Sequence, residues 1–512
     1  MRIGIDVGGT NTDAVLLNGT SIEAQAKCPT TADVTSGILQ AVEQVLSQGP
    51  NDIRLQGVML GTTHFTNALL EGKGLAPTAV LRLALPATQL LPPLVEWPDS
   101  LRNAIGGFVY LVHGGHEFDG REISALDRAA VQAAARDMRQ KGVQAASVCG
   151  VFSSVDSSHE EAAAEIIKDE APHIQVTLSH EIGRIGLLER ENAATLNACL
   201  AGLAANTLGG VQEALKSLGL ECPLFITQND GTLMGAEYAS RYPVFTISSG
   251  ATNSMRGAAF LSGVTNGIVV DIGGTSTDVG VLVNGYPREA SVAVSIGGVR
   301  TNFRMPDVLS IALGGGSIIT QEPLTIGPES VGYRLMDEAL VFGGTILTTT
   351  DVSVAGGLSD VGSPHLVLGI EPRLANQALT KIRQKVEDSI DQVKFNADDV
   401  PVVLVGGGNI LIGDVLEGAT EVIRPENAAV ANAVGSAIAQ VGGQVERVFS
   451  LDRMGRQEAR DSARNEAIAK AVAAGADPNT VDLIEIDEVP LTYLPSNVTR
   501  IRAKASGDLM PD

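Results

Sequence analysis

An eight-residue signature occurs twice in this chain, and the duplication limits the fold more than any other feature. Asp6-Val7-Gly8-Gly9-Thr10-Asn11-Thr12-Asp13 and Asp271-Ile272-Gly273-Gly274-Thr275-Ser276-Thr277-Asp278 agree at six of eight positions. Short apolar runs flank both in phase: 3–5 and 14–17 around the first, 268–270 and 279–283 around the second. Apolar run, glycine turn and apolar run read as a β-hairpin. Only two copies, far apart, imply two similar lobes and not a solenoid.

The hairpins carry chemistry as well as shape. Paired glycines let a backbone approach phosphate oxygens closely. Thr10, Asn11 and Thr12, like Thr275, Ser276 and Thr277, add hydroxyl or amide donors. Asp6 and Asp271 would repel phosphate, and make sense as ligands of Mg²⁺ or its waters. Asp13 and Asp278 either share that role or position the attacked group. An ordinary hairpin turn asks for Gly or Asn but not for flanking acids, so the duplicated acids favour phosphate loops over plain turns.

Other segments supply candidate partners. Gly406-Gly407-Gly408-Asn409 follows the apolar strand Val402–Val405, and fits a turn that leaves room for a nucleoside. Gly314-Gly315-Gly316-Ser317 is a second glycine cluster, facing phosphate or substrate through Gly315 or serving as a tight interdomain turn. Thr62, Thr63, His64 and Asn67 lie in a loop entering a helix, where a substrate contact competes with plain capping. Ser249 and Asn253 lie in a small polar turn expected after a strand at Val244–Ile247, lining the same cleft. No adjacent His or Lys is evident to activate a serine nucleophile there. His113, His116, Glu117 and Asp119 crowd into seven residues and form a candidate metal site, although their spacing matches no standard zinc pattern. The competing reading is a polar glycine-rich surface loop.

At 512 residues the chain exceeds one growing core. The pattern divides into 1–75, a β/α middle region 76–260, 261–440 with the second hairpin, and a closing helix and strands at 441–512. A net charge of −23 argues against nucleic acid and anionic membranes. It leaves nucleotide open, since a glycine loop and a metal hold phosphate locally. Cys28, Cys149, Cys199 and Cys222 are widely spaced and read as reduced thiols. The opening residues do not resemble a secretion signal and no apolar run spans a membrane, so a cytoplasmic protein is expected.

Met1–Leu17, Gly61–Leu70, His113–Ile123, Ser248–Gly257, Ile268–Val283, Leu313–Ile318 and Val402–Ile412 together resemble the hydantoinase/oxoprolinase family, A-type subunit. The stretch 470–508 is similar as well, so the resemblance runs in order along nearly the whole chain. The paired loops are shared with the wider acetate-kinase, sugar-kinase, Hsp70 and actin superfamily. The element Gly61-Thr62-Thr63-His64-Phe65-Thr66-Asn67 is more specific to the hydantoinase/oxoprolinase group. The resemblance implies an α/β fold of two RNase-H-like lobes with a large inserted α/β region, closing over ATP and Mg²⁺. It implies ATP-dependent opening of a cyclic amide or imide, such as a hydantoin or 5-oxoproline, through phosphorylation of the amide oxygen. It also implies a B-type partner subunit and an oligomer. The rival readings are an ATP-dependent carboxylase component, a small-molecule kinase, or a non-catalytic ATP switch acting on a partner.

Overall fold

The computed structural model describes residues 1–9, 11–30, 34–50, 54–290, 294–302, 305–492 and 497–510. Each duplicated hairpin founds a sheet. In the first, Arg2–Val7 pairs antiparallel with Asn11–Asn18, which pairs antiparallel with Ser21–Pro29. On its other side Arg2–Val7 runs parallel to Gly57–Thr62, and that strand parallel to Leu224–Thr227. In the second, Gly267–Ile272 pairs antiparallel with Thr277–Val283, which pairs antiparallel with Val308–Ile311. Gly267–Ile272 then runs parallel to Val400–Val405, and that strand to Ala419–Ile423. Both lobes thus share the order 3-2-1-4-5 with one reversed strand, the RNase-H-like arrangement.

The central strands are apolar on both faces because helices cover both faces. Gly57–Thr62 is buried along its whole length. Helix Val34–Gln48 covers one side of the first sheet and helix Ala431–Ile438 the other. Ala431–Ile438 also crosses helix Ser249–Ser262, and glycine makes the crossing close. A Cβ on Gly257 would overlap the Ala431 carbonyl, and one on Gly435 would overlap the Asn253 carbonyl. This crossing brings Asn253, Ser254 and Asn432 between the two hairpins.

The first sheet does not end with the N-terminal lobe. It continues through Leu233–Gly235, Val441–Ser450, Val498–Gly507 and Asp482–Pro490, so the C-terminal strands complete it. Helix Arg456–Ala473 covers them with a stripe of Ala459, Ala463, Ala467 and Ala471, all buried at four-residue spacing. The region 76–260 is divided between two sheets. Its first part forms a separate parallel sheet in the order Phe108–His113, Thr78–Leu85, Ala145–Gly150, Gln175–Leu178. Helix Leu187–Ser217 then leads back to Leu224–Thr227 in the first sheet. The junction is tied by a fully buried bidentate pair, in which Arg82 Nε and Nη2 each donate to Glu191 at 2.6 Å.

The expected strand at Val244–Ile247 is not one. Pro243–Thr246 forms a 3₁₀ turn and Ser249–Ser262 is a helix. Pro243 has no N–H for a ladder, and its fixed φ suits the first residue of a helical turn. Ser248, at φ 65°, makes the break between turn and helix. None of the four cysteines is in a disulfide among the described residues. Among the described residues no helix is long and apolar enough to cross a membrane.

Candidate active site

The two hairpins are built alike, pair for pair. Asp6 lies opposite Asp13 and Val7 opposite Thr12; Asp271 lies opposite Asp278 and Ile272 opposite Thr277. Gly8 N donates to Asn11 O at 3.0 Å, and Gly273 N to Ser276 O at 2.9 Å. Thr275 and Ser276 are exposed at the second turn, and Gly9 faces open space at the first. Thr10 lies outside the described residues. Thr277 is not offered to the cleft: it is buried and donates to Leu313 O at 2.6 Å. Thr12 is buried in the equivalent position.

Each turn is braced from behind. Thr30 Oγ1 donates to Gly8 O at 2.8 Å. Gly315 N donates to Gly273 O at 2.9 Å and Gly316 N to Gly274 O at 2.7 Å. Thr349 and Thr350 hydroxyls both donate to Gly315 O at 2.8 Å. Gly315 therefore supports the second loop through its backbone. The Gly406–Gly408 turn closes on the same hairpin, since Gly408 N donates to Ile272 O at 2.7 Å. Gly406 has φ +80°, and a Cβ on it would overlap the Asp271 carboxylate and the Ile272 carbonyl. Asn409 Nδ2 returns to Gly406 O at 2.6 Å and fixes the turn.

The electrostatics of the cleft are unusual. Burial, then the charge of Asp13, pushes the Asp6 carboxyl up to about 7. Burial, then the charge of Asp278, pushes Asp271 up to about 6. Burial also raises Asp13 and Asp278, the first opposed by Lys27 and the second by Ser310. Asn432 Nδ2 donates to Asp6 Oδ2 at 3.3 Å and also holds Asp271 down, so one amide serves a carboxylate from each lobe. Asp6 Oδ1 is buried with no hydrogen-bond partner among the described residues. Four carboxylates with an unpartnered buried lone pair form an oxygen donor set that fits a cation.

Around Asp6 the other candidates converge in part. A Cβ on Gly61 would lie 2.8 Å from Asp6 Oδ1 and 2.5 Å from Asn253 Nδ2. Asn253 Nδ2 donates to Thr227 Oγ1 at 3.0 Å. Ser249 is buried with an unpartnered hydroxyl among the described residues, and begins its helix beside Thr63. Thr62 Oγ1 accepts from His64 N at 3.1 Å, and Thr63 Oγ1 donates to Val7 O at 3.3 Å. His64 is half-buried, and burial lowers its pKa, which leaves the ring neutral at pH 7. Asn67 is exposed one turn further along the helix.

The four residues His113, His116, Glu117 and Asp119 do not converge on one point. His113 is exposed at a strand end, and Asp119 pairs with Arg121 at 2.7 Å. His116 instead packs against His159, ring centroids 4.3 Å apart and planes tilted by 38°, near Glu122. Gly115 N donates to His159 Nδ1 at 3.0 Å, while His159 Nε2 faces Glu122 Oε1 at 3.2 Å. Both nitrogens of His159 are engaged, so the group reads as a clasp that closes the loop. Sequence density marked the loop, but sequence spacing gave no sign of His159 or Glu122.

Residues 2–171 match the hydantoinase/oxoprolinase N-terminal region, and residues 190–393 match hydantoinase/oxoprolinase. Caprolactamase subunit alpha of Pseudomonas jessenii is 29% identical over 419 residues, covering 76% of this chain and 59% of that relative. Acetophenone carboxylase gamma subunit of Aromatoleum aromaticum is 29% identical over 397 residues, covering 69% and 53%. The matches thus span less than two thirds of the length of these relatives. The solved structure of ATP-dependent caprolactamase from P. jessenii superposes with a TM-score of 0.75 at 20% identity, covering 100% of this chain and 88% of that one. Nucleotide-free acetone carboxylase gives 0.71 at 16% identity, covering 99% and 88%. The fold is theirs, and with both regions matched in order, the chain belongs to the hydantoinase/oxoprolinase family.

Proposed function

We propose that this chain binds Mg–ATP between the two hairpins and uses it to activate the carbonyl oxygen of a cyclic amide or imide for ring opening. The observation that carries the reading is the buried carboxylate set, with Asp6 Oδ1 unpartnered and Asp6 and Asp271 both raised toward neutrality. Such groups fit a bound divalent cation better than an empty cleft. Asp6 and Asp271, with Asp13 and Asp278 beside them, would hold Mg²⁺ or its waters. Mg²⁺ would neutralise charge on the phosphates. The turns at Gly8–Gly9 and Gly273–Ser276 would take the phosphate chain, and Gly406–Asn409 the nucleoside. Neutral His64, with Thr62, Thr63, Ser249 and Asn253, would line the substrate end.

An amide carbonyl is a poor electrophile. Its oxygen would attack the terminal phosphorus as the bridging P–O bond breaks and ADP leaves. Water would then add to the activated carbon, the C–N bond would break with a proton to nitrogen to leave an acyl phosphate, and a second water would hydrolyse that to the carboxylate and inorganic phosphate. Positioning and charge neutralisation are what such a transfer needs from the protein. Carbonyl activation ahead of carboxylation is the second reading, favoured by the equal identity to an acetophenone carboxylase subunit. Both of these relatives are named as subunits, which supports a partner chain here as well.

The test is Mg²⁺-dependent phosphate release from ATP by the purified chain, screened with hydantoins, 5-oxoproline and larger lactams. Stimulation by one ring, lost in Asp6→Ala and Asp271→Ala, supports the reading. ATP binding with no stimulation by any ring, alone or with a partner subunit, would sink the cyclic-amide assignment.

A further inference from the structure

Opposed residues of an antiparallel pair share a face of the sheet. Asp6, Asp13 and Lys27 stand opposite one another across three strands of the first lobe. Asp271, Asp278 and Ser310 occupy the same three places in the second lobe. The rows are equivalent except at the third position, where lysine replaces serine. Ser310 donates to Asp278, a neutral contact confined to its own lobe.

Lys27 does more. Its Nζ lies 2.9 Å from Asp13 Oδ1 and 3.0 Å from Oδ2. The same ammonium reaches Ala429 O at 3.4 Å, just before helix Ala431–Ile438, and lies 4.0 Å from where a Cβ on Gly407 would be. It therefore sits between the first hairpin and the nucleoside turn of the other lobe. Its side chain is 39% exposed, so it is reachable from the cleft, whereas Asp13 is only 13% exposed.

We propose that Lys27 is a phosphate clamp, which exchanges Asp13 for the phosphate chain of a nucleotide when one enters the cleft. This rests on the nucleotide reading of the same site. A cation bound by the carboxylate row takes over the neutralisation of Asp13, and the phosphates offer the ammonium a more highly charged acceptor. A lysine ammonium has three rotatable donors on a flexible stem, so the exchange needs only a side-chain movement. The asymmetry of the two rows follows: the first lobe supplies a movable positive charge, and the second row ends in a neutral hydroxyl. The exchange makes and breaks no covalent bond.

The experiment is calorimetric titration of the full chain, with Mg²⁺, against ATP, ADP and adenosine, in wild type, Lys27→Met and Lys27→Arg. Losing one charge-assisted contact should weaken ATP and ADP by about tenfold or more in Lys27→Met. Adenosine, which lacks phosphate, should bind that variant as it binds wild type, and Lys27→Arg should keep most of the ATP affinity. A structural role alone would weaken all three ligands together, and that pattern overturns the proposal. Equal ATP binding by wild type and Lys27→Met overturns it while leaving the nucleotide reading intact. A wild type that binds no ATP at all overturns both. If Lys27→Met does not fold, Lys27→Gln carries the same comparison.

Discussion

Replacing Asp6 by Asn should make the metal-free, nucleotide-free protein more stable, and by an amount that grows with pH. The folded-state pKa of Asp6 is raised from 3.8 to about 7 by burial and by Asp13. A carboxyl raised in this way favours folding while it is protonated. That contribution is complete below 3.8 and is lost as the pH rises through about 7. Each pH unit in that window costs about 1.4 kcal/mol. Between pH 5 and pH 7 the penalty of the ionised group therefore grows by roughly 3 kcal/mol. Asn keeps the shape and the contact with Asn432 but never ionises. For a chain of this length the unfolding entropy is about 1 kcal/mol per kelvin, so the stabilising effect should increase by roughly 3 °C over that interval. Thermal melts followed by circular dichroism in chelator at pH 5, 6, 7 and 8 read it directly. Adding Mg²⁺ and ATP should then raise the melting point of wild type and leave the variant behind. A stability difference that is flat with pH, or a variant less stable than wild type at pH 8, would refute the reasoning, because the carboxylate would then have a partner that the geometry lacks.

Three further outcomes follow from the packing. Gly406→Ala places a Cβ on a left-handed residue and against Asp271; about 1–2 kcal/mol of backbone strain plus about 1–3 of overlap should lower the melting point by several degrees and abolish nucleotide binding in titrations. Arg82→Met strands the buried Glu191 charge, and should cost about 3–5 kcal/mol in denaturant melts, with much of the loss recovered in Arg82→Met/Glu191→Leu. Gly257→Ala forces helix Ser249–Ser262 off the Ala431 carbonyl; it should weaken ATP binding although residue 257 is a full turn beyond Asn253, and unchanged affinity would show that the crossing does not set the cleft.

What the sequence discloses about this site is what can be decided within a few residues. A glycine turn between apolar strands needs no distant partner, so both hairpins were legible, whereas the register that sets Asp6 opposite Asp13 came from the folded sheet. The Gly406 turn was legible for the same reason. Gly315 was visible as glycine, but its task depends on the Gly273 carbonyl it meets, which only the folded second lobe supplies. The strand read at Val244–Ile247 failed because an apolar run alone does not separate strand from turn, and Pro243 decided it. His116 was found by local density, whereas its companions His159 and Glu122 come from a helix and a loop that meet only when the inserted sheet forms. Lys27 and Asn432 were missed altogether. Nothing near Lys27 in the chain marks it, because its meaning comes from standing opposite Asp13, one strand further on. Asn432 lies in a run of alanines and valines that reads as a small-residue helix, and it reaches Asp6 because the glycines at 4, 257 and 435 let that helix approach both hairpins. Motif residues are set by short stretches of chain. The residues that set charge in the cleft are placed by sheet register and helix crossing, and in this protein those are properties of the two lobes together.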